Sequence, residues 1–130
     1  MSNFKKHAQM GAIVGGATGF FVNFFQQLDK IDNNKEEKFN FFELLGYTTG
    51  GVAIGTIGGV LPDLLEPAKD PNHRKFFHSI TTGIVVGTSV VALNKSNLPK
   101  EVKAIASVAA AGYLSHLALD SATPKGLPLV

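Results

Sequence analysis

The chain contains four long apolar stretches separated by short polar segments, and none of the four carries Asp, Glu, Lys or Arg. They are about 21, 19, 19 and 16 residues long and cover 8–28, 44–62, 76–94 and 104–119. Charge-free runs of this length favour helices over strands. The pattern therefore predicts an all-α protein with one domain, an antiparallel bundle of four long helices at about 8–28, 41–61, 75–94 and 98–120.

Local signals mark several helix ends. Asn40 followed by Glu43 resembles a capping box that opens the second helix. Pro62 is expected to close the second helix, since proline removes a backbone donor. Asn97 is expected to cap the fourth helix, with Pro99 in its first turn.

Length and glycine spacing favour a membrane over water. At about 1.5 Å rise per residue, the first three stretches can each cross a hydrocarbon core of roughly 30 Å, whereas the fourth is marginal. The alternative is a soluble bundle with buried helices, which the mean hydropathy of +0.15 also allows. Small residues at four-residue spacing let helices approach closely in lipid. They recur as Gly11, Gly15 and Gly19, as Gly51, Gly55 and Gly59, and as Ser79, Gly83 and Gly87.

Composition and net charge limit the classes of binding partner that are expected. Charged residues make up 17% of the chain, against about 25% in ordinary soluble domains. The net charge is +2 without a basic block, so nucleic acid is not expected as a partner. Membrane lipid is the expected partner, and the glycine faces could also support a homo-oligomer. The chain has no cysteine, so a metal must be held by nitrogen and oxygen ligands.

The four histidines lie at or near the ends of the apolar stretches, together with Asp63 and Asp120, and an up-and-down order places them all at one end of the bundle. His116 and Asp120 are four residues apart and can chelate one ion from one helix face. Asp63 and His78 flank the turn between the second and third helices and can supply two further ligands. Two nitrogens and two carboxylates suit Zn²⁺ or Mn²⁺. The alternative is that the pair binds no metal and Asp120 only accepts a hydrogen bond from His116.

The pattern PD…HRxxxHS…HxxxD…TxxGxP, which runs from Pro62 to Pro128, resembles the LexA-regulated family of membrane-bound metal-dependent hydrolases. That family is usually grouped with the zinc-dependent phospholipase C and single-strand nuclease superfamily. The resemblance implies a bacterial inner-membrane protein with one or two divalent ions, most often zinc. It implies that Asp63, His78, His116 and Asp120 bind a metal and that His7 helps to bind a second one. It also implies that Arg74 holds an anionic substrate.

The function that follows from the resemblance is metal-assisted hydrolysis of a phosphoester, which includes the phosphoesters of lipids. Glu66 or His73 would act as the general base, and Arg74 would stabilise developing negative charge. The alternative is a non-catalytic membrane bundle that self-associates through its glycine faces. In that case the metal, or only a hydrogen-bonded His/Asp cluster, ties the helix ends together, as in a structural or membrane-disturbing effector protein.

Overall fold

A computed structural model describes residues 2–67 and 76–129, and it confirms the predicted antiparallel four-helix bundle. No strand occurs in these two segments. The helices are α1 (Ser2–Asn33), α2 (Phe41–Leu65), α3 (Ile80–Lys95) and α4 (Lys100–Ser121). Because successive helices run in opposite directions, the start of α1, the end of α2, the start of α3 and the end of α4 lie at one end of the bundle.

Three of the four helices form the compact part of the bundle. α1, α2 and α4 each contact the other two, whereas α3 contacts only α4 among the described residues. Glycines make the close contacts. A methyl group added to Gly55 would collide with the backbones of Gly11 and Gly15 on α1, and one added to Gly112 on α4 would meet the backbone of Gly55. The predicted close approach through glycine is therefore confirmed for α1 and α2.

The glycine prediction is wrong for α3. A methyl group on Gly83 would meet only the side chains of Leu114 and Leu117, and one on Gly87 would meet nothing within 4 Å. This helix lies against one neighbour instead of two, so its small residues are not needed for backbone contact. Self-association stays a prediction, and the open glycines that remain for it include Gly46, Gly50 and Gly87.

Two of the predicted helix ends are displaced. α2 runs through Pro62 and ends at Leu65, and the backbone N–H of Glu66 still donates to the carbonyl of Pro62. A proline therefore does not close this helix, because the turn after it still forms its backbone hydrogen bond. Asn97 is not a cap either, since the N-cap position of α4 is Pro99, which makes no side-chain cap hydrogen bond.

The remaining ends follow local chemistry. Asn40 caps α2 as predicted, because its side chain accepts from the Glu43 N–H at 3.0 Å. α3 starts at Ile80 and not near 75, because Ser79 is its N-cap and accepts from the Thr82 N–H. α1 extends beyond 8–28 at both ends, since a charge-free run marks the apolar part of a helix and not its termini.

Few large apolar side chains are buried, Leu44, Val108, Tyr113 and Leu117 among them, and many others face outwards. The largest fully buried side chains include His78, His116, Asn23 and Asp120. The exposed side chains include Phe21, Phe25, Phe41, Phe42, Ile57 and Ile84. A soluble bundle is not expected to expose so many large apolar side chains. This distribution matches a chain that is surrounded by lipid.

Three helices are long and apolar enough to cross a membrane: α1 from Phe4 to Asn33, α2 and α4. α3 has 16 residues, about 24 Å at the helical rise, and falls short. The prediction that the third stretch spans and the fourth is marginal is therefore wrong for both. The first residues of the third stretch form the turn before α3, and α4 gains length from its polar first turn.

Candidate metal centre

Five side chains from four parts of the chain meet at the end of the bundle where α1 and α3 begin. His7 comes from the first turns of α1, Asp63 from the last turn of α2, and His78 from the turn before α3. His116 and Asp120 come from the last turns of α4. We call these five residues the His/Asp cluster. His78, His116 and Asp120 are at most 1% exposed, and His7 is 4% exposed.

His116 gives the clearest sign of a cation site. Its Nδ1 lies 2.7 Å from the carbonyl oxygen of Gly59, and since a carbonyl only accepts, Nδ1 carries the donated proton. In a neutral imidazole the Nε2 atom then presents a bare lone pair. Among the described residues, this Nε2 is the buried side-chain nitrogen or oxygen with no hydrogen-bond partner. It lies 3.2 Å from Asp120 Oδ2 and 3.8 Å from Asp63 Oδ1.

Lone pairs that face each other at these distances need a positive charge between them. His78 Nε2 lies 3.3 Å from Asp63 Oδ1 and 3.8 Å from Asp120 Oδ2. One ligand atom from each of His78, His116 and Asp120 falls within 4.8 Å of the other two. A divalent cation or shared protons would satisfy this geometry, and the donor set of imidazole and carboxylate suits Zn²⁺ or Mn²⁺.

His7 forms a second arrangement of the same kind. Its Nδ1 lies 3.0 Å from Asp63 Oδ2, and its Nε2 lies 3.5 Å from Asp120 Oδ1. A neutral imidazole has one N–H, so it can donate to only one of these two carboxylates. His7, Asp63 and His116 also offer ligand atoms within 4.8 Å of one another. The two triads share His116, whose Nε2 can bind only one ion, so a second ion would depend on His7 and on carboxylates shared between the two ions.

Glu66 orients His78. Its Oε2 lies 3.0 Å from His78 Nδ1, on the ring side that faces away from Asp63. Burial alone would lower the pKa of His78, but its hydrogen bonds with Asp63 and Glu66 outweigh burial, so the pKa is raised. A carboxylate therefore lies at each ring nitrogen of His78. A carboxylate behind a histidine is also the usual partner of a metal-binding imidazole.

Two further residues position the cluster, and sequence reasoning did not assign them this role. A methyl group on Gly59 would lie 2.7 Å from the carbonyl oxygen of His7 and 2.9 Å from Gly11 Cα, so glycine lets α1 bring His7 close. The same residue accepts the hydrogen bond of His116. The Tyr113 hydroxyl donates to the carbonyl of Phe77 at 2.6 Å and fixes the turn that carries His78. The glycine spacing signalled Gly59, whereas nothing in the sequence signalled Tyr113.

The structure thus brings together His7, Asp63, His78, His116 and Asp120, with Glu66 behind His78. The predicted residues His73 and Arg74 lie outside the described residues. Asp63 and Glu66 are the most exposed members of the site, with 20% and 15% of their side chains accessible. The His/Asp cluster therefore opens towards solvent past these two carboxylates. Metal binding itself stays a prediction.

These features define a class of protein, a small integral membrane bundle with a buried His/Asp cluster at one helix end. Comparison with known families agrees with this class. Residues 1–130 match the family described as YdjM inner membrane protein, and the chain belongs to that family. The match confirms the predicted membrane location. No curated protein and no solved structure matches the chain.

Proposed function

We propose that this protein is a membrane-embedded, metal-dependent hydrolase that cleaves a phosphoester bond at the His/Asp cluster. The observation that carries the proposal is the buried, unpartnered Nε2 of His116, which faces the carboxylates of Asp63 and Asp120. A buried lone pair without a partner lowers the stability of the folded protein unless a cation binds to it. Intramembrane ionisable residues also more often serve function than packing.

Five residues of the chain would bind the metal. Asp63, His78, His116 and Asp120 would hold the cation, and His7 would hold a second one or complete the first. A bound Zn²⁺ or Mn²⁺ would lower the pKa of its water from 15.7 towards about 7 and polarise the phosphoryl oxygen.

Further residues would accept the proton of the attacking water and bind the negative charge of the substrate. Glu66 is the general-base candidate within the described residues, since it lies beside His78 on the open side of the site. His73 remains the other base candidate, and Arg74 would hold the anionic group. Water and substrate would approach past Asp63 and Glu66, because the other cluster residues are enclosed.

A second candidate function is non-catalytic. Several contacts at the cluster join different helices: His7 to Asp63 ties α1 to α2, and His116 to the carbonyl of Gly59 ties α4 to α2. A metal or shared protons could therefore serve only to hold the helix ends together. In this case the cluster would contribute to stability and not to turnover.

The test measures metal content and activity on the same samples. We expect one or two equivalents of zinc or manganese per chain by elemental mass spectrometry after purification in detergent. Asp120→Asn should lose the metal and phosphoesterase activity. The control Asp32→Asn should keep both, since Asp32 is an exposed acid at the far end of α1. A protein that takes up no metal even when zinc and manganese are added back would refute the proposal.

The same variants separate the two functions. Loss of activity in Asp120→Asn with unchanged helix content and unfolding midpoint supports the enzyme. If the metal-loaded protein hydrolyses no phosphoester, and Asp120→Asn unfolds or dissociates, the cluster is a structural tie and the hydrolase proposal is wrong.

A further inference from the structure

An open apolar groove runs between α3 and α4, and one of its ends is lined by residues that neighbour the His/Asp cluster along the chain. It encloses about 400 Å³. Val86 of α3 and Ala106 and Tyr113 of α4 line its two long walls, and Leu61 and Leu65 of α2 close it only at the cluster end. Since α3 does not contact α2 among the described residues, the rest of the groove stays open along its side.

Residues that adjoin the cluster line one end of the groove, although the cluster residues themselves do not line it. Leu65 precedes Glu66 directly, and Phe77, which also lines the groove, precedes His78. Tyr113 lies one helical turn before His116, and its hydroxyl holds the carbonyl of Phe77. A molecule with an apolar chain in the groove would therefore place its polar end beside Glu66 and His78, on the open side of the cluster.

The dimensions match one lipid chain. Along α3 the groove is lined from Thr82 to Leu93, eleven residue steps or about 16 Å at the helical rise. One leaflet contributes half of a hydrocarbon core of roughly 30 Å, about 15 Å. The chain is an inner-membrane protein, and the groove lies among its apolar helices, so the surrounding medium supplies acyl chains.

We propose that this groove holds an acyl chain of a membrane phospholipid whose phosphate headgroup lies at the His/Asp cluster. The inference rests on the proposed function, because it assigns the substrate class of the same site: a phospholipid and not a water-soluble phosphoester. A soluble phosphoester would need the polar site alone and would leave the adjoining groove without a role.

The test fills the groove and follows lipid binding. Ala106→Phe adds a ring to one wall, and Ser89→Phe adds one to the opposite wall at an exposed position that perturbs folding least. Ala53→Phe is the control, because Ala53 is an exposed residue on α2 that does not line the groove. The probe is palmitoyl-oleoyl phosphatidylglycerol added to delipidated protein in detergent, with bound lipid counted by native mass spectrometry.

We expect the wild type and Ala53→Phe to retain one phospholipid per chain, and Ala106→Phe and Ser89→Phe to bind it several-fold more weakly. Metal content should be equal in all four proteins, since none of these positions belongs to the cluster. Equal lipid retention in the filled-groove variants and the control, or none in the wild type, would overturn the groove assignment.

Hydrolysis on the same samples separates this inference from the proposed function. Filled-groove variants should lose turnover of the phospholipid and keep turnover of a short-chain, water-soluble phosphoester. If they lose lipid binding while no protein hydrolyses either substrate, the groove assignment holds and the hydrolase proposal fails. If they still hydrolyse the phospholipid at the wild-type rate, the hydrolase holds and the groove assignment fails.

Discussion

Gly55 is the position at which one added methyl group should disturb the most structure. It lies in the middle of α2, between α1 and α4. A Cβ at Gly55 would lie 2.5 Å from Gly15 Cα, whereas ordinary contacts begin at about 3.4 Å. α1 would have to move away by at least the difference, about 0.9 Å, because the carbonyl oxygen of Gly11 lies closer still. Movement towards the other side is blocked, since Gly112 of α4 already packs against Gly55.

The expected cost of Gly55→Ala follows from this displacement. Overpacking of a tight interior typically costs about 1–3 kcal/mol. The displacement would also reach the cluster, because the His7–Asp63 contact joins the same two helices at 3.0 Å. An added 0.9 Å would take this contact beyond hydrogen-bonding range. We therefore expect a lower free energy of unfolding together with weaker metal affinity.

The assay compares Gly55→Ala with Gly50→Ala on the same helix. A methyl group on Gly50 would meet no atom within 4 Å, so this variant should gain up to about 1 kcal/mol from the higher helix propensity of alanine. Denaturant titration in detergent, followed by circular dichroism, measures both changes. If Gly55→Ala is as stable as Gly50→Ala, the helices are not held at glycine contact distance and the packing argument is wrong.

Two further substitutions test opposite ends of the bundle. Glu66→Gln should weaken metal affinity by about 10–100-fold, because it removes the carboxylate that orients His78. Chelator competition measures this affinity, and an unchanged value would exclude the orienting role. Asn23→Ala should lower the free energy of unfolding by about 1–3 kcal/mol, because Asn23 is fully buried and its amide donates to Glu43 and accepts from Gln27. Metal content should be unchanged, since Asn23 lies at the other end of the bundle from the cluster. Stability equal to the wild type would show that these two partners find other hydrogen bonds.

The helix order and the meeting place of the histidines could be predicted because both follow from simple periodicity. Four charge-free runs define four helices, and an antiparallel order then places His7, Asp63, His78, His116 and Asp120 at one end. No contact distance is needed for this step. The helix ends were less predictable, because they depend on hydrogen bonds of single residues. Ser79 caps α3 while Asn97 caps nothing, although both residue types favour caps.

The spanning lengths of α3 and α4 could not be predicted from hydropathy alone. The third apolar run includes Phe76 to His78, which fold as a turn because the Tyr113 hydroxyl and the Ser79 cap hold them there. Both contacts come from tertiary structure or local side-chain geometry, not from apolarity. α4 is longer than its apolar run because a helix tolerates the charged residues Lys100, Glu101 and Lys103 at its end.

Gly59 shows why the packing and the candidate site cannot be separated in this protein. Its missing side chain lets α1 approach, which brings His7 to Asp63. Its carbonyl accepts the proton of His116 Nδ1 and thereby turns the bare Nε2 towards the carboxylates. A soluble bundle could fill this space with a large apolar residue, because water would drive the helices together. In lipid that drive is absent, and close backbone contact takes its place. The glycines that pack the helices therefore also set the spacing of the cluster, and the site depends on the packing of the whole bundle.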